Sequence, residues 1–226
     1  MNLLLLGHGK TGSQVAEVAA ERKHHLQVAS SRDNLNGAAI HPEKLRGIDV
    51  VLDFTGPHCV MGNIEGCVKA GKNMVVGTTG WYKEIDRVRE LVRQHDTGFV
   101  YAANFSVGVN IFLEMTRAAA AALRHDYSGQ IFERHHVHKK DAPSGTAAAL
   151  QRLLEQAWGK RVEITSEREG DVTGTHTLEL ASSGDRIVLT HEAKSRRTFA
   201  EGAVLAAEWI AGRTGFYDFK DIFAQL

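Results

Sequence analysis

An α/β fold in two parts is what this sequence predicts: an N-terminal doubly wound parallel-sheet domain, then an α+β domain built on a mixed or antiparallel sheet. Three observations carry the prediction. From Leu3 to Ala102, short continuous apolar runs alternate with helix-like stretches, the pattern of crossover units on a sheet buried on both faces. A glycine-rich turn, Gly7 to Gly12, stands between the first run and the first helix-like stretch. After Asn104 the order changes to successive strand candidates joined by turns such as Ser183-Gly184-Asp185, with helices between them.

In order, the apolar runs at 3–6, 26–29, 50–54, 74–76 and 99–102 are the expected parallel strands. Helices are expected at 13–21, 60–70 and 82–95. The second part begins with a helix at 109–124, which carries the alanine run 118–122. Strands follow at 130–138, 162–166, 176–181 and 186–191, with a helix at 147–158. The last expected helix, 199–211, is needed to complete the first half, so the tail should return there. The expected domains are therefore 1–106 with 199–226 for a dinucleotide, and 107–198 for substrate and oligomerisation.

Composition narrows the functional classes. The 226 residues are 43% hydrophobic and 24% charged, which excludes wholesale disorder and fibrous structure. Lys plus Arg and Asp plus Glu both number 27, so net charge gives no argument for a nucleic-acid or membrane partner. The opening Leu3–Leu6 is far shorter than the ~20 residues of a membrane helix and lacks the basic flank of a signal peptide. Cys59 and Cys67 form no Cys-x-x-Cys motif and point to no disulfide framework, so a reducing cytoplasm is expected.

Gly7-His8-Gly9-Lys10-Thr11-Gly12 follows a strand and opens a helix. The first glycine permits the turn, the second lets a pyrophosphate approach, and the third lets helix and strand pack. The helix N-terminus supplies free N–H groups and partial positive charge. The residues at the end of the second strand, where an acid would bind a ribose, are Ser30, Ser31, Arg32 and Asp33. Ser31 and Arg32 suit a 2′-phosphate and favour NADP; Asp33 points the other way, so NADPH and NADH both stand as cofactors. Gly77, Thr78 and Thr79, and Ala102, Ala103, Asn104 and Phe105, each follow a strand and should face the nicotinamide end.

The densest chemistry lies at 133–147. Were the strand to run on past His135, alternation would put His135, Val137 and Lys139 on one side and His136 and His138 on the other. An imidazole titrating near neutral pH beside a lysine among basic groups suits proton delivery, which makes His135 and Lys139 the catalytic candidates. Ser144, Gly145 and Thr146, just ahead of a helix, offer N–H groups to a substrate carboxylate. His-His-x-His has no distant partner cluster of zinc spacing, and its basic surroundings repel cations, so no metal is expected. Only Phe132 is an aromatic near enough for a nucleic-acid patch.

These residues resemble a family. Gly7 to Gly12, Gly77-Thr78-Thr79-Gly80, the stretch from Ala102 to Gly108 and above all His135-His136-x-His138-Lys139-x-Asp141-Ala142-Pro143-Ser144-Gly145-Thr146 are similar to 4-hydroxy-tetrahydrodipicolinate (dihydrodipicolinate) reductases of lysine and diaminopimelate synthesis. Arg168-x-Gly170-Asp171-x-x-Gly174-x-His176 and Thr198-Phe199-Ala200-x-Gly202-Ala203 extend the likeness over nearly the whole chain. The resemblance implies a Rossmann-type NAD(P)H domain rejoined by the C-terminal helix, a middle domain for a cyclic dicarboxylate, and a homotetramer. It implies that His135 and Lys139 donate protons, that His136 contacts substrate, and that Gly145 with Thr146 cradles a carboxylate. Val137 stands where many members carry arginine, Gln130 replaces an acid, and a shortened stretch is expected between Trp158 and Arg168. Two other readings are a catalytically silent NADP-binding sensor and a dehydrogenase acting on a related imine or amino acid. The intact His135/Lys139 pair opposes the first, and the Asp-Ala-Pro-Ser-Gly-Thr string opposes the second.

Overall fold

A strand covered on both faces must be apolar at every position, and Leu3, Leu4, Leu5 and Leu6 are all buried. They form most of β1 (Asn2–Leu6), which leads into α1 (Lys10–Glu21) and β2 (His25–Ala29). The computed structural model describes every residue except Ser31, and of Leu35 and Asn36 the backbone alone. A 3-10 turn at Leu35–Ile40 and a single turn α2 (Pro42–Leu45) lead to β3 (Val50–Asp53). Then come α3 (Val60–Lys69), β4 (Asn73–Val76), a 3-10 turn at Tyr82–Glu84, α4 (Ile85–Gln94) and β5 (Gly98–Tyr101). These strands pair in parallel because the connections between them cross over. Val60, Ile64, Cys67 and Val68 of α3, at helical spacing, join Val88 and Val92 of α4 and the buried Trp81 against the sheet.

The second unit, Val107–Arg196, has its own core. It opens with α5 (Val107–Ala119), which tightens into a 3-10 turn at Ala120–Arg124. β6 (Ser128–His135), α6 (Gly145–Trp158), β7 (Glu163–Arg168), β8 (Thr175–Ala181) and β9 (Arg186–Glu192) follow. The sheet order is β7-β6-β8-β9. β7 runs parallel to β6 because α6 crosses between them, whereas β8 and β9 are antiparallel, so the sheet is mixed. Ile131 of β6 and Leu178 and Leu180 of β8 alternate onto the inner face and meet Phe112, Leu150 and Leu154.

The chain then returns to the first unit, Met1–Ser106 with Arg197–Leu226, as α7 (Arg197–Ile210), β10 (Gly215–Asp218) and α8 (Phe219–Ile222). β10 adds to β5 in parallel, making a six-stranded sheet of order β10-β5-β4-β3-β1-β2. α7 lies close against the loop after β5: a Cβ at Gly202 would stand 1.8 Å from the Phe105 carbonyl oxygen.

Two expectations are corrected. The strand expected at 130–138 ends at His135, because the chain turns: Lys139 N–H bonds the His136 carbonyl at 3.1 Å and Val137 N–H the Gly170 carbonyl at 3.1 Å. The alternation that would put His135 and Lys139 on one strand face therefore does not exist. The helix expected at 109–124 is α-helical only to Ala119. Among the described residues, no helix is long and apolar enough to cross a membrane.

Candidate active site

In the first unit, the glycine-rich turn is shaped by close approaches of backbone. Gly7 has φ +94°, and a Cβ there would meet the Phe54 carbonyl oxygen at 2.3 Å. A Cβ at Gly12 would meet the Gly7 carbonyl oxygen at 2.3 Å, so the third glycine lets α1 start directly against the turn. Gly9 faces open space and is the N-cap of α1, with no side-chain cap and no acid in the first turn. The helix N-terminus thus presents N–H groups that no side chain covers, the arrangement an anionic pyrophosphate needs. His8 and Lys10 are exposed beside it, and Thr11 is half-buried. These residues fit a dinucleotide.

The neighbouring strand ends hold the other candidates. Gly77 packs under the Phe54 ring, where a Cβ would stand 2.3 Å from ring carbon. Thr79 and Ala103 are exposed, Asn104 is half-buried, and Ala102 and Phe105 are buried. Thr78 is also buried, and its hydroxyl donates to Asp53 at 2.6 Å. Asp53 accepts as well from the Thr55 hydroxyl (2.7 Å) and the Asn63 amide (2.7 Å), a buried knot that ties the ends of β3 and β4 together. Sequence reading passed over Asp53; its signal was an acid closing an otherwise apolar strand. At the end of β2, Asp33 folds back to accept from the Ser30 N–H (2.9 Å) and hydroxyl (2.6 Å). Those bonds, the hydroxyl's foremost, hold its carboxyl below the usual range. Arg32 is exposed, and Ser31 lies outside the described residues.

In the second unit, the candidates gather at the end of β6. Alternation along β6 buries Ile131, Glu133 and His135 on one side. The Nδ1 atom of His135 lies 2.5 Å from Oε2 of Glu133. Oε1 of Glu133 accepts from the Arg168 guanidinium (3.2 Å) and the Ser144 N–H (3.3 Å). Burial pushes the Glu133 carboxyl up, but hydrogen bonds from Ser166, Arg168 and Ser144 and the charge of His135 outweigh it and hold the pKa down. For His135, burial lowers the pKa; Glu133 pulls it back, and Lys139 and Arg168 push it further down.

Ser144 is the N-cap of α6, its hydroxyl accepting from Ala147 N–H at 3.2 Å and lying 2.9 Å from Nε2 of His176. Burial lowers the pKa of His176 to about 4 and keeps that ring neutral. Gly145 is exposed with open space where a Cβ would be, and Thr146 is half-buried. The Lys139 ammonium is 2.8 Å from both oxygens of Asp141. His136 is partnered by Arg196, whose guanidinium lies 3.2 Å from Nε2. Arg196 escaped the sequence reading although the run Lys194-Ser195-Arg196-Arg197 was a visible basic cluster.

Glu133, His135 and His176 bring three potential ligand atoms within 4.8 Å of one another, a grouping hidden from sequence spacing because His176 comes from β8. The Arg168 guanidinium on Glu133, the Ser144 hydroxyl on His176 and the Lys139 charge nearby make it a hydrogen-bonded cluster among cations.

Two family models match: dihydrodipicolinate reductase, N-terminus, over residues 1–105, and dihydrodipicolinate reductase, C-terminus, over residues 108–223. This chain belongs to the dihydrodipicolinate reductase family. It is similar to the 4-hydroxy-tetrahydrodipicolinate reductase of Christiangramia forsetii, 40% identical over 240 residues that cover 100% of this chain and 99% of that one. The reductase of the same name from Thiobacillus denitrificans is 40% identical over 199 residues, 79% of this chain and 74% of its own. In fold the chain is similar to a dipicolinate-bound dihydrodipicolinate reductase from Paenisporosarcina, with TM-score 0.83 at 20% identity over 98% of this chain and 99% of that one. As a dihydrodipicolinate reductase, the chain is an oxidoreductase whose first unit is a nucleotide-binding fold.

Proposed function

We propose that this chain catalyses the NAD(P)H-dependent reduction of 4-hydroxy-tetrahydrodipicolinate to tetrahydrodipicolinate, with loss of water, in lysine and diaminopimelate biosynthesis. The observation that carries the reading is the gathering of a buried imidazole, an ammonium and a serine-capped helix N-terminus at the end of β6, in a chain matched along its length by the reductase family. Loss of water leaves an unsaturated ring bearing two carboxylates, and reduction adds one hydride and one proton to it. A bound NAD(P)H supplies the hydride.

The chain's own residues do the rest. Gly145 and Thr146 hold one substrate carboxylate through the N–H groups at the start of α6, with Ser144 fixing that turn by its cap. His136, partnered by Arg196, takes part in binding the dianion. His135 and Lys139 provide the proton to the developing enamine. Gly7 to Gly12 hold the pyrophosphate. Gly77, Thr79 and Ala102 to Phe105 border the nicotinamide end, while Thr78 acts through the Asp53 knot and its backbone. NADPH is the preferred reductant: Asp33 is turned onto Ser30, which leaves the exposed Arg32 to meet a 2′-phosphate. The enzyme works in the cytoplasm as a homo-oligomer, a tetramer in the family's manner; exposed Phe132 and Val188 on the second unit's sheet support that assembly.

The deciding experiment follows NADPH and NADH oxidation with substrate made freshly from pyruvate and aspartate semialdehyde. Substrate-dependent oxidation is expected. Its absence with both cofactors would leave the silent nucleotide sensor as the better account.

A further inference from the structure

Around the His135 ring, the charges are lopsided. Arg168 on β7 and Lys139 in the turn after β6 oppose a proton on it, as does burial, while the neighbouring His176 on β8 is kept neutral. Glu133 on its own strand and, more distantly, Asp141 favour one. Glu133 is fully inside, and Nδ1 of His135 has no hydrogen-bond partner of ordinary geometry among the described residues; the Glu133 carboxylate at 2.5 Å is what it faces. On the ring's far side a Cβ at Gly174 would stand 2.9 Å from Nε2, so only a missing side chain keeps that nitrogen clear.

We infer that Glu133 is a positioning residue for His135: it holds the ring by Nδ1–H and so leaves Nε2, in the space Gly174 keeps open, as the nitrogen that gives up the proton. The inference rests on the functional reading above and deepens it. Nε2–H donates to the substrate, and the ring relaxes to the neutral Nδ1–H tautomer that a carboxylate at that position favours. Arg168 and the Ser144 N–H keep Glu133 ionised, so it does not take the Nδ1 proton for itself. The same carboxylate thus links the imidazole to the turn proposed to hold the substrate carboxylate.

Ring nitrogens of ¹⁵N-histidine-labelled protein, assigned with His135→Gln, report this without turnover. The wild-type ring is expected as the Nδ1–H tautomer when neutral. Glu133→Gln should lower its titration, because burial, Lys139 and Arg168 remain and the nearest favourable charge is gone, and should mix the tautomers. The descending limb of the kcat–pH profile should move to lower pH, with a loss of about ten- to a hundredfold near pH 8 that shrinks towards about pH 6. NAD(P)H affinity should hold, and Glu133→Asp should recover part of the loss.

An unchanged His135 titration and tautomer in Glu133→Gln, or a kcat reduced by one factor at all pH values, would overturn the inference. Should Glu133→Gln not fold, Gly174→Ala tests the other nitrogen: at least about tenfold loss of kcat is expected with the Nδ1–H tautomer kept, and normal turnover overturns the inference. Full activity of His135→Gln would instead sink the assignment of His135 itself. The two failures are therefore told apart.

Discussion

Lys139 shows how one side chain's task depends on its partners. Its ammonium is held by both oxygens of Asp141; Lys139 closes the turn that replaces the end of the expected strand, and Asp141 follows it. Lys139→Ala is expected to lower kcat by about a hundredfold or more with nucleotide affinity nearly unchanged, since the change lies in the second unit. Turnover within a few-fold of wild type would contradict a donor role. Arg32 makes a complementary case. Arg32→Ala should weaken NADPH more than NADH in direct titrations, and equal losses would remove the 2′-phosphate argument. At this scale, the residue types of the site were legible, because the motif from His135 to Thr146 is contiguous. The groups that hold the Glu133 carboxylate, Arg168 and the Ser144 N–H, and the donors to Asp53 from Asn63 and Thr78 were not, since they come from segments apart in the chain.

Among the elements, α7 is the most instructive. A helical sequence rich in alanine would ordinarily gain about 1 kcal/mol from replacing an interior glycine by alanine. At Gly202 that gain is overridden: the new Cβ would sit 1.8 Å from the Phe105 carbonyl oxygen, and backbone cannot swing away like a flexible side chain. Gly202→Ala should destabilise the chain by roughly 1–3 kcal/mol in urea unfolding and weaken nucleotide binding through the displaced loop. A neutral or stabilising effect would show that α7 does not press on that loop. Long periodic elements such as α3 and α6 were readable in advance, as their apolar faces repeat. β10 was not: four half-buried residues at a sheet edge carry too little pattern, and only pairing with β5 makes them a strand. The end of β6 was misread for a related reason, since the hydrogen bond to Gly170 that turns the chain comes from a distant segment.

For the whole molecule, the buried histidines set the pH dependence of stability. Burial lowers His176 to about 4, whereas an unfolded histidine titrates near 6.5, so between those values the unfolded chain binds the extra proton. The stabilisation is present above about pH 6.5 and is lost as pH falls towards about 4, by at most roughly 3 kcal/mol. His135 and His191, also lowered chiefly by burial, act in the same direction. Melting curves should therefore shift down between about pH 7 and pH 5, before most carboxylates titrate, and His176→Gln should flatten that part of the curve. A melting temperature constant over the interval would contradict this. Local order alone, meaning apolar runs, glycine spacing and the histidine-to-threonine string, was enough to establish an α/β chain with a nucleotide turn and a reductase's chemical motif, because those signals are contiguous and short-range. Which donors hold the Glu133 carboxylate, where β6 stops and how the tail closes the first sheet were decided by tertiary structure. They depend on hydrogen bonds and charges between segments far apart in the chain, whose strength exists only once folding has removed the water between them.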